Sequence, residues 1–209
     1  ANPWWSTPLM PIVFLFSAIV SGIAAVLLIY MGYCVVKKIP IEMRCVDAMA
    51  RFLMYAFIID FSLEMLDLIH RIYEADESFV SLDFMVKSKL FLSHIIFQIF
   101  LGTLLPITTL VFVQLVKLSA EARKTLYTLA GLATLGGIFA MRWNVVIGGQ
   151  LFSKSFLGYT TYKMGFATRE GLLPALIIMV LPFIILFVLT SLLPPMHGPA
   201  APARAGGGR

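Results

Sequence analysis

Hydrophobic and polar positions alternate along this chain on a coarse scale, long apolar runs being broken by short polar ones. Apolar runs cover roughly Leu9 to Val36, Leu90 to Val116, Thr125 to Met141 and Leu172 to Leu193. An α-helix needs about 20 apolar residues, with a range of roughly 17 to 25, to cross a hydrocarbon core about 30 Å thick. A fifth stretch, roughly Val46 to Tyr73, has that length but carries charge in its second half. The interruptions hold helix breakers and basic residues: Lys37, Lys38, Pro40, Glu42 and Arg44 after the first run, and KLSAEARK after the third. This pattern predicts an all-α membrane protein with five transmembrane helices, a four-helix bundle plus one further C-terminal span. Residues 1–195 form one transmembrane domain on this basis, and the low-complexity tail, 196–209, is predicted to be disordered.

The charged stretch, FIIDFSLEMLDLIHRIY from Phe57 to Tyr73, organises the rest. At about 100° per residue, Asp60, Glu64, Asp67 and Arg71 fall within roughly 60° of arc, and His70 lies roughly 80° from Asp60. Ile58, Phe61, Met65, Leu66 and Ile69 cover much of the remaining surface. At about 1.5 Å per residue, Asp60 is roughly 16 Å below Arg71, close to mid-membrane. A carboxylate at that depth costs about 3 kcal/mol or more unless it faces a bundle interior, water or a partner. Two explanations stand side by side. One is a structural ladder of ion pairs, Glu64 and Asp67 against Arg71. The other is a proton path of Asp60, Glu64, Asp67 and His70 running from one surface to mid-membrane.

Composition narrows the class. The 209 residues are 60% hydrophobic and 13% charged, with a mean hydropathy of +0.92; soluble domains carry about 25% charge. The net charge of +5 therefore speaks to membrane orientation and not to nucleic acid. Cys34 and Cys45 flank one short loop, and without further sulfur ligands an iron–sulfur cluster or zinc site within the chain is not expected. The opening Ala-Asn-Pro-Trp-Trp has no initiator Met and no basic leader region. It reads as a trimmed start, or as the later part of a longer polypeptide, and not as a signal peptide. With the N-terminus outside, the short basic loops at 37–44 and 117–124 face the cytoplasm, and Lys163 faces out. The ladder then opens outward, on the side of Trp4, Trp5 and Trp143.

The remaining polar residues form two groups. His94 and Gln98 lie one helical turn apart on the third span, with Pro106 beyond them as a predicted kink. Arg142, Asn144 and Gln150 cluster where the fourth span is expected to end, and Gly148-Gly149 would permit a sharp turn there. Quinone carbonyls need donors beside an apolar slot, and His94, Gln98, Arg142, Asn144 and Gln150 are the candidates to supply them. The bland alternatives are a polar contact between helices for the first group and a helix cap for the second. Arg142 is also a candidate ion-pair partner of Glu64 or Asp67. His70 and His94 lie on neighbouring spans, a conceivable pair of haem ligands, but no motif supports them and no haem is expected in this chain. Small residues Ser21 and Gly22, and the Gly- and Ala-rich fourth span, predict close helix approach.

The segments IIDFSLEMLDLIHRIYE and MRWNVVIGGQLFSKS resemble the polysulfide reductase/NrfD family of integral membrane subunits, in its DsrP-like and HybB-like branch. The opening NPWWSTPLMPIVFLFSAIVSG looks like the start of that family's second helical bundle, so that the chain corresponds to a C-terminal half. The resemblance covers most of residues 2–195. It implies a quinone-interacting anchor in a respiratory or sulfur-metabolism redox complex of a prokaryotic inner membrane, with quinone or menaquinone as bound substrate. It further implies an iron–sulfur ferredoxin-like partner subunit on the outer face, with other membrane, cytochrome or catalytic subunits beyond it. In that family the best-described quinone pocket belongs to the first bundle. An ion-coupled transporter, a proton-channel component and a purely structural anchor are the competing functions.

Overall fold

The computed structural model describes residues 8–74, 87, 90–151, 165–167 and 171–193. Trp4, Trp5, the surface segment after the second helix (apart from Lys87), Lys163, Pro194-Pro195 and the tail lie outside the described residues, as does the side chain of Arg71. The described residues form five helices: α1 (Met10–Lys37), α2 (Met43–Glu74), α3 (Phe91–Leu115), α4 (Ala120–Leu151) and α5 (Leu172–Leu192). No strand occurs among the described residues. The chain divides into two compact units, 1–161 and 162–209. The first holds α1 to α4; the second holds α5, an apolar helix with no buried residue.

Four of the helices, α1, α3, α4 and α5, are long and apolar enough to cross a membrane. The expected five spans are thus supported by composition only as four. α2 has 32 residues, but its charges, from Arg44 and Asp47 to Asp60, Glu64 and Asp67, keep it from qualifying.

In the first unit α1 packs against α2 and α4, and α3 packs against the same two helices, closing a four-membered ring. α1 contributes through a single stripe. Val13, Ser17, Val20, Ala24, Leu27, Met31 and Cys34 are buried at intervals of three or four residues, the spacing of one helix face. Its other face is as apolar and lies exposed, as a lipid-facing surface does. Leu27 and Met31 meet Val46, Ala50 and Leu53 from α2, Leu110 and Val113 from α3, and Tyr127 and Ala130 from α4 in one core cluster. These positions come from the end of α1, the start of α2, the end of α3 and the start of α4. The apolar core is therefore densest at the end of the bundle that carries the basic loops.

α1 opens with Pro11 in its first turn, where the missing N–H has no partner to lose. It closes on Lys38 in the left-handed region, φ 55°, whose N–H bonds to the carbonyls of Cys34 and Val35. The Ile39 N–H follows onto Cys34 at 2.9 Å, so that the last carbonyls are capped.

α3 changes character along its length. Over Phe91–Leu104 its hydrogen bonds run five residues back, as in the bond from Leu105 N–H to the Phe100 carbonyl. The Thr103 hydroxyl likewise donates to the Gln98 carbonyl at 3.0 Å. Ordinary α-geometry resumes over Leu105–Leu115, with Pro106 in its first turn. Helix of the wider kind is rare and usually confined to a single turn; here it carries His94 and Gln98.

The wide segment lies against α4 backbone to backbone. A Cβ built on Gly102 would overlap the Gly137 backbone, and one on Gly137 would fall onto Gly102 and 2.7 Å from its carbonyl oxygen. The expected close packing of the fourth helix is thus located at Gly137, and at Gly131, where a Cβ would press on Leu28 at 3.1 Å. At Gly22 a Cβ would meet nothing within 4 Å, so the approach predicted there does not occur among the described residues.

The largest departure from the sequence pattern lies in α4. It does not end near Met141 but continues to Leu151, through Arg142, Asn144 and Gly148-Gly149. Both glycines are buried and neither takes a positive φ. They serve close packing, not a turn.

Candidate functional site

α3 runs away from the end at which α4 finishes, so His94 and Gln98 near the start of α3 meet Asn144 near the end of α4. Gln98 and Asn144 are 6% and 1% exposed. The Gln98 side-chain carbonyl accepts two hydrogen bonds, from His94 Nδ1 at 2.9 Å and from Asn144 Nδ2 at 2.9 Å. An amide oxygen only accepts, so in this pairing the His94 proton sits on Nδ1, and the neutral ring keeps Nε2 as an acceptor. Asn144 Oδ1 is buried without a partner. In an apolar bundle an unpaired amide oxygen costs about 1–3 kcal/mol, and the network leaves this buried acceptor open. That position suits a ligand with a hydroxyl to donate.

Of the five residues expected to serve a quinone, three are brought together. Arg142 and Gln150 stand on α4 roughly 160° and 120° around the helix from Asn144, Arg142 half-buried and Gln150 exposed. Arg142 makes no ion pair with Glu64 or Asp67 among the described residues, and its Nε finds no hydrogen-bond partner there. The expected cap at Arg142 to Gln150 is replaced by continuous helix.

Asp60 lies at the middle of α2, 2% exposed, and its Oδ1 has no hydrogen-bond partner. Glu64, one turn on, is half-buried and within Coulombic reach of both Asp60 and Asp67. Asp67 and His70 are half-buried on the next turn and engaged in interactions of their own. The ladder is thus a run of carboxyl groups along one helix whose deepest member is the most enclosed. Among the described residues, no three His, Cys, Asp or Glu side chains converge as a metal site.

One cluster has no counterpart in the sequence reading. Asp47, in the first turns of α2, accepts from Arg123 Nη1 at 2.5 Å and from the Tyr127 hydroxyl at 3.0 Å. Arg123 and Tyr127 stand one turn apart on α4, so this carboxylate ties α2 to α4 diagonally across the ring. The i,i+4 spacing of Arg123 and Tyr127 is a visible signal. Their acceptor, 76 residues away from Arg123, is not.

The model for the polysulphide reductase NrfD family matches residues 1–154. The chain belongs to the NrfD family. No curated protein and no solved structure matches it. NrfD proteins are quinone-interacting membrane subunits of polysulfide and quinone oxidoreductase complexes, where they assemble with other subunits. With four helices apolar enough to cross a bilayer, this NrfD chain is a multi-pass membrane protein.

Proposed function

We propose that this chain is a quinol-interacting anchor of a prokaryotic inner-membrane redox complex, coupling the quinone pool to an iron–sulfur subunit on the outer face. The observation that carries it is the His94–Gln98–Asn144 network, buried in the bundle and short of one donor. A bound quinol would supply two electrons and two protons. Asn144 Oδ1 would accept from its hydroxyl, Gln98 would hold both Asn144 and His94 in place, and His94 Nε2 would offer a second acceptor. The fit is to the reduced, hydroxyl-bearing form. α2 crosses the bilayer as the fourth wall of the ring, since both neighbours it packs against are spans and its 32 residues reach about 48 Å. Its acids then provide a proton route, with Asp60 as the deep station. The short basic loops support an N-terminus outside, with the network and the ladder toward the outer face and the tail in the cytoplasm.

The test uses membranes holding the assembled complex. Asn144→Leu should raise KM for quinol about tenfold, the equivalent of about 1.4 kcal/mol, with assembly unchanged. Asp60→Asn should depress kcat strongly, and Asp67→Asn only mildly. If Asp67→Asn destabilises the complex while Asp60→Asn turns over normally, the ladder is an ion-pair scaffold and carries no protons. Ion flux that vanishes with the ladder acids, without sensitivity to quinol analogues, would make the chain a transporter.

A further inference from the structure

The opposite end of the bundle holds a cleft of about 340 Å³ lined by Asp47, Arg51, Gln114, Lys117, Arg123 and Tyr127 among others. It sits where α2 begins and where the short loop joins α3 to α4. This is the level at which a span emerges from hydrocarbon into the headgroup region. Three cations, Arg51, Lys117 and Arg123, face one carboxylate. Asp47 is already committed, to Arg123 Nη1 and to Tyr127, so it neutralises Arg123 and leaves Arg51 and Lys117 uncompensated. Both are exposed, and no hydrogen bond or ion pair of theirs is made among the described residues.

Two further donors are left over. Gln114 Nε2 and Arg123 Nε are both buried without a hydrogen-bond partner, and both residues line the cleft. A donor excluded from water and unpaired costs about 1–3 kcal/mol; two in one cleft signal a missing acceptor. The terminal torsion of a glutamine is soft, so Gln114 turns toward an occupant at little cost. Arg123 Nη1 is held by Asp47, which orients the guanidinium and leaves its buried Nε–H without an acceptor. Surplus positive charge and two orphaned N–H groups define a site for an oxyanion with several acceptor oxygens.

We infer that this cleft binds the phosphate oxyanion of a group at the membrane surface, with Arg51 and Lys117 neutralising its charge and Gln114 and Arg123 donating to its oxygens. Two sources offer that chemistry, an anionic phospholipid headgroup and free phosphate. Asp47 and Tyr127 act as positioning residues that orient Arg123.

The test takes the full chain, reconstituted in phosphatidylcholine nanodiscs, and reads bound lipid by native mass spectrometry as phosphatidylglycerol is added. Phosphatidylglycerol should be retained over phosphatidylcholine, and retention should weaken as ionic strength rises. The exposed Lys117→Gln variant and the Arg51→Gln/Gln114→Leu double variant should each bind about tenfold more weakly, while Arg51→Lys keeps binding. All three variants leave the Asp47–Arg123–Tyr127 lock in place. Inorganic phosphate that displaces the lipid from the parent chain, and fails to bind the double variant, would assign the same site to a soluble phosphate. Equal retention of the two lipids with no phosphate binding, or binding unchanged in both charge-removing variants, would overturn the inference.

Discussion

The two ends of the four-helix ring solve the same packing problem in different ways. At the basic-loop end, side chains do the packing: Leu27, Met31, Leu53, Leu110 and Val113 interlock, and the half-buried carboxylate of Asp47 has two partners. At the other end the backbone does the packing, Gly102 against Gly137, with Gly148 and Gly149 buried beyond them. The space near it is filled by Gln98 and Asn144, and α3 widens to carry Gln98 into it. The carboxyl of Asp60 and the amide of Asn144 each leave an oxygen unpaired. The first half is held by interlocked side chains and leaves its unpaired donors, Gln114 Nε2 and Arg123 Nε, at a surface cleft. The second gives up hydrogen bonds that a purely structural bundle would have satisfied, and unpaired groups of that kind gather where a ligand or a proton completes them.

The contrast breaks most completely at the glycine contact. Gly137→Leu should force α3 and α4 apart, because the added Cβ alone lands on backbone that cannot swing aside. Loss of the folded chain from detergent extracts, read by size-exclusion chromatography, is the expected outcome. Gly136→Leu is the control, since a Cβ there meets nothing within 4 Å and would face lipid at little cost. If both variants behave alike, the backbone contact does not hold the polar half together.

A second pair of variants exchanges stability for function between the two ends. Leu27→Ala removes a fully buried side chain from the apolar core and should lower stability by about 2 kcal/mol. That is the low end for buried leucine, because the unfolded reference in a membrane is still apolar and chiefly the cavity and the lost dispersion contacts count. Quinol turnover should survive it. Asn144→Leu should do the opposite, leaving thermal stability within about 1 kcal/mol while quinol affinity falls, since an amide with an unpaired oxygen contributes little to the fold. Thermal unfolding and turnover of the two variants side by side decide the matter. Equal loss of stability in both would make the polar network structural.

Much of this was legible in the residues themselves. The apolar runs place α1, α2, α3 and α5 to within a few residues, the i,i+4 spacing of His94 and Gln98 marks them as one unit, and Asn144 stands out as an amide next to an apolar run. The extent of α4 was not legible. Arg142, Asn144, Gly148, Gly149 and Gln150 have the chemistry of a loop, and only a facing helix with its own glycine turns them into an interface. The Asp47–Arg123–Tyr127 lock was hidden for a related reason. A charge at a span end is the ordinary sign of a membrane boundary, and a single sequence does not tell which helix ends stand together across a ring.

The smallest effect sharpens the comparison at the basic-loop end, where one departure from the ideal is conformational. Lys38 closes α1 with φ 55°, a backbone region in which a side chain costs about 1–2 kcal/mol and glycine costs nothing. Against that gain stands the greater freedom of glycine in the unfolded chain, about 0.5–1 kcal/mol. Lys38→Gly should therefore stabilise the bundle by well under about 1 kcal/mol, a rise of a few degrees in Tm at most. The substitution also removes a positive charge from the loop, so Lys38→Ala is needed beside it. Alanine loses the same charge without relieving the backbone. A Tm that rises for glycine and not for alanine isolates the left-handed cap as the source. A rise in both would trace the effect to charge repulsion with neighbouring Lys37, and a fall in both would mean that the Lys38 ammonium itself steadies this end of the bundle at the membrane surface.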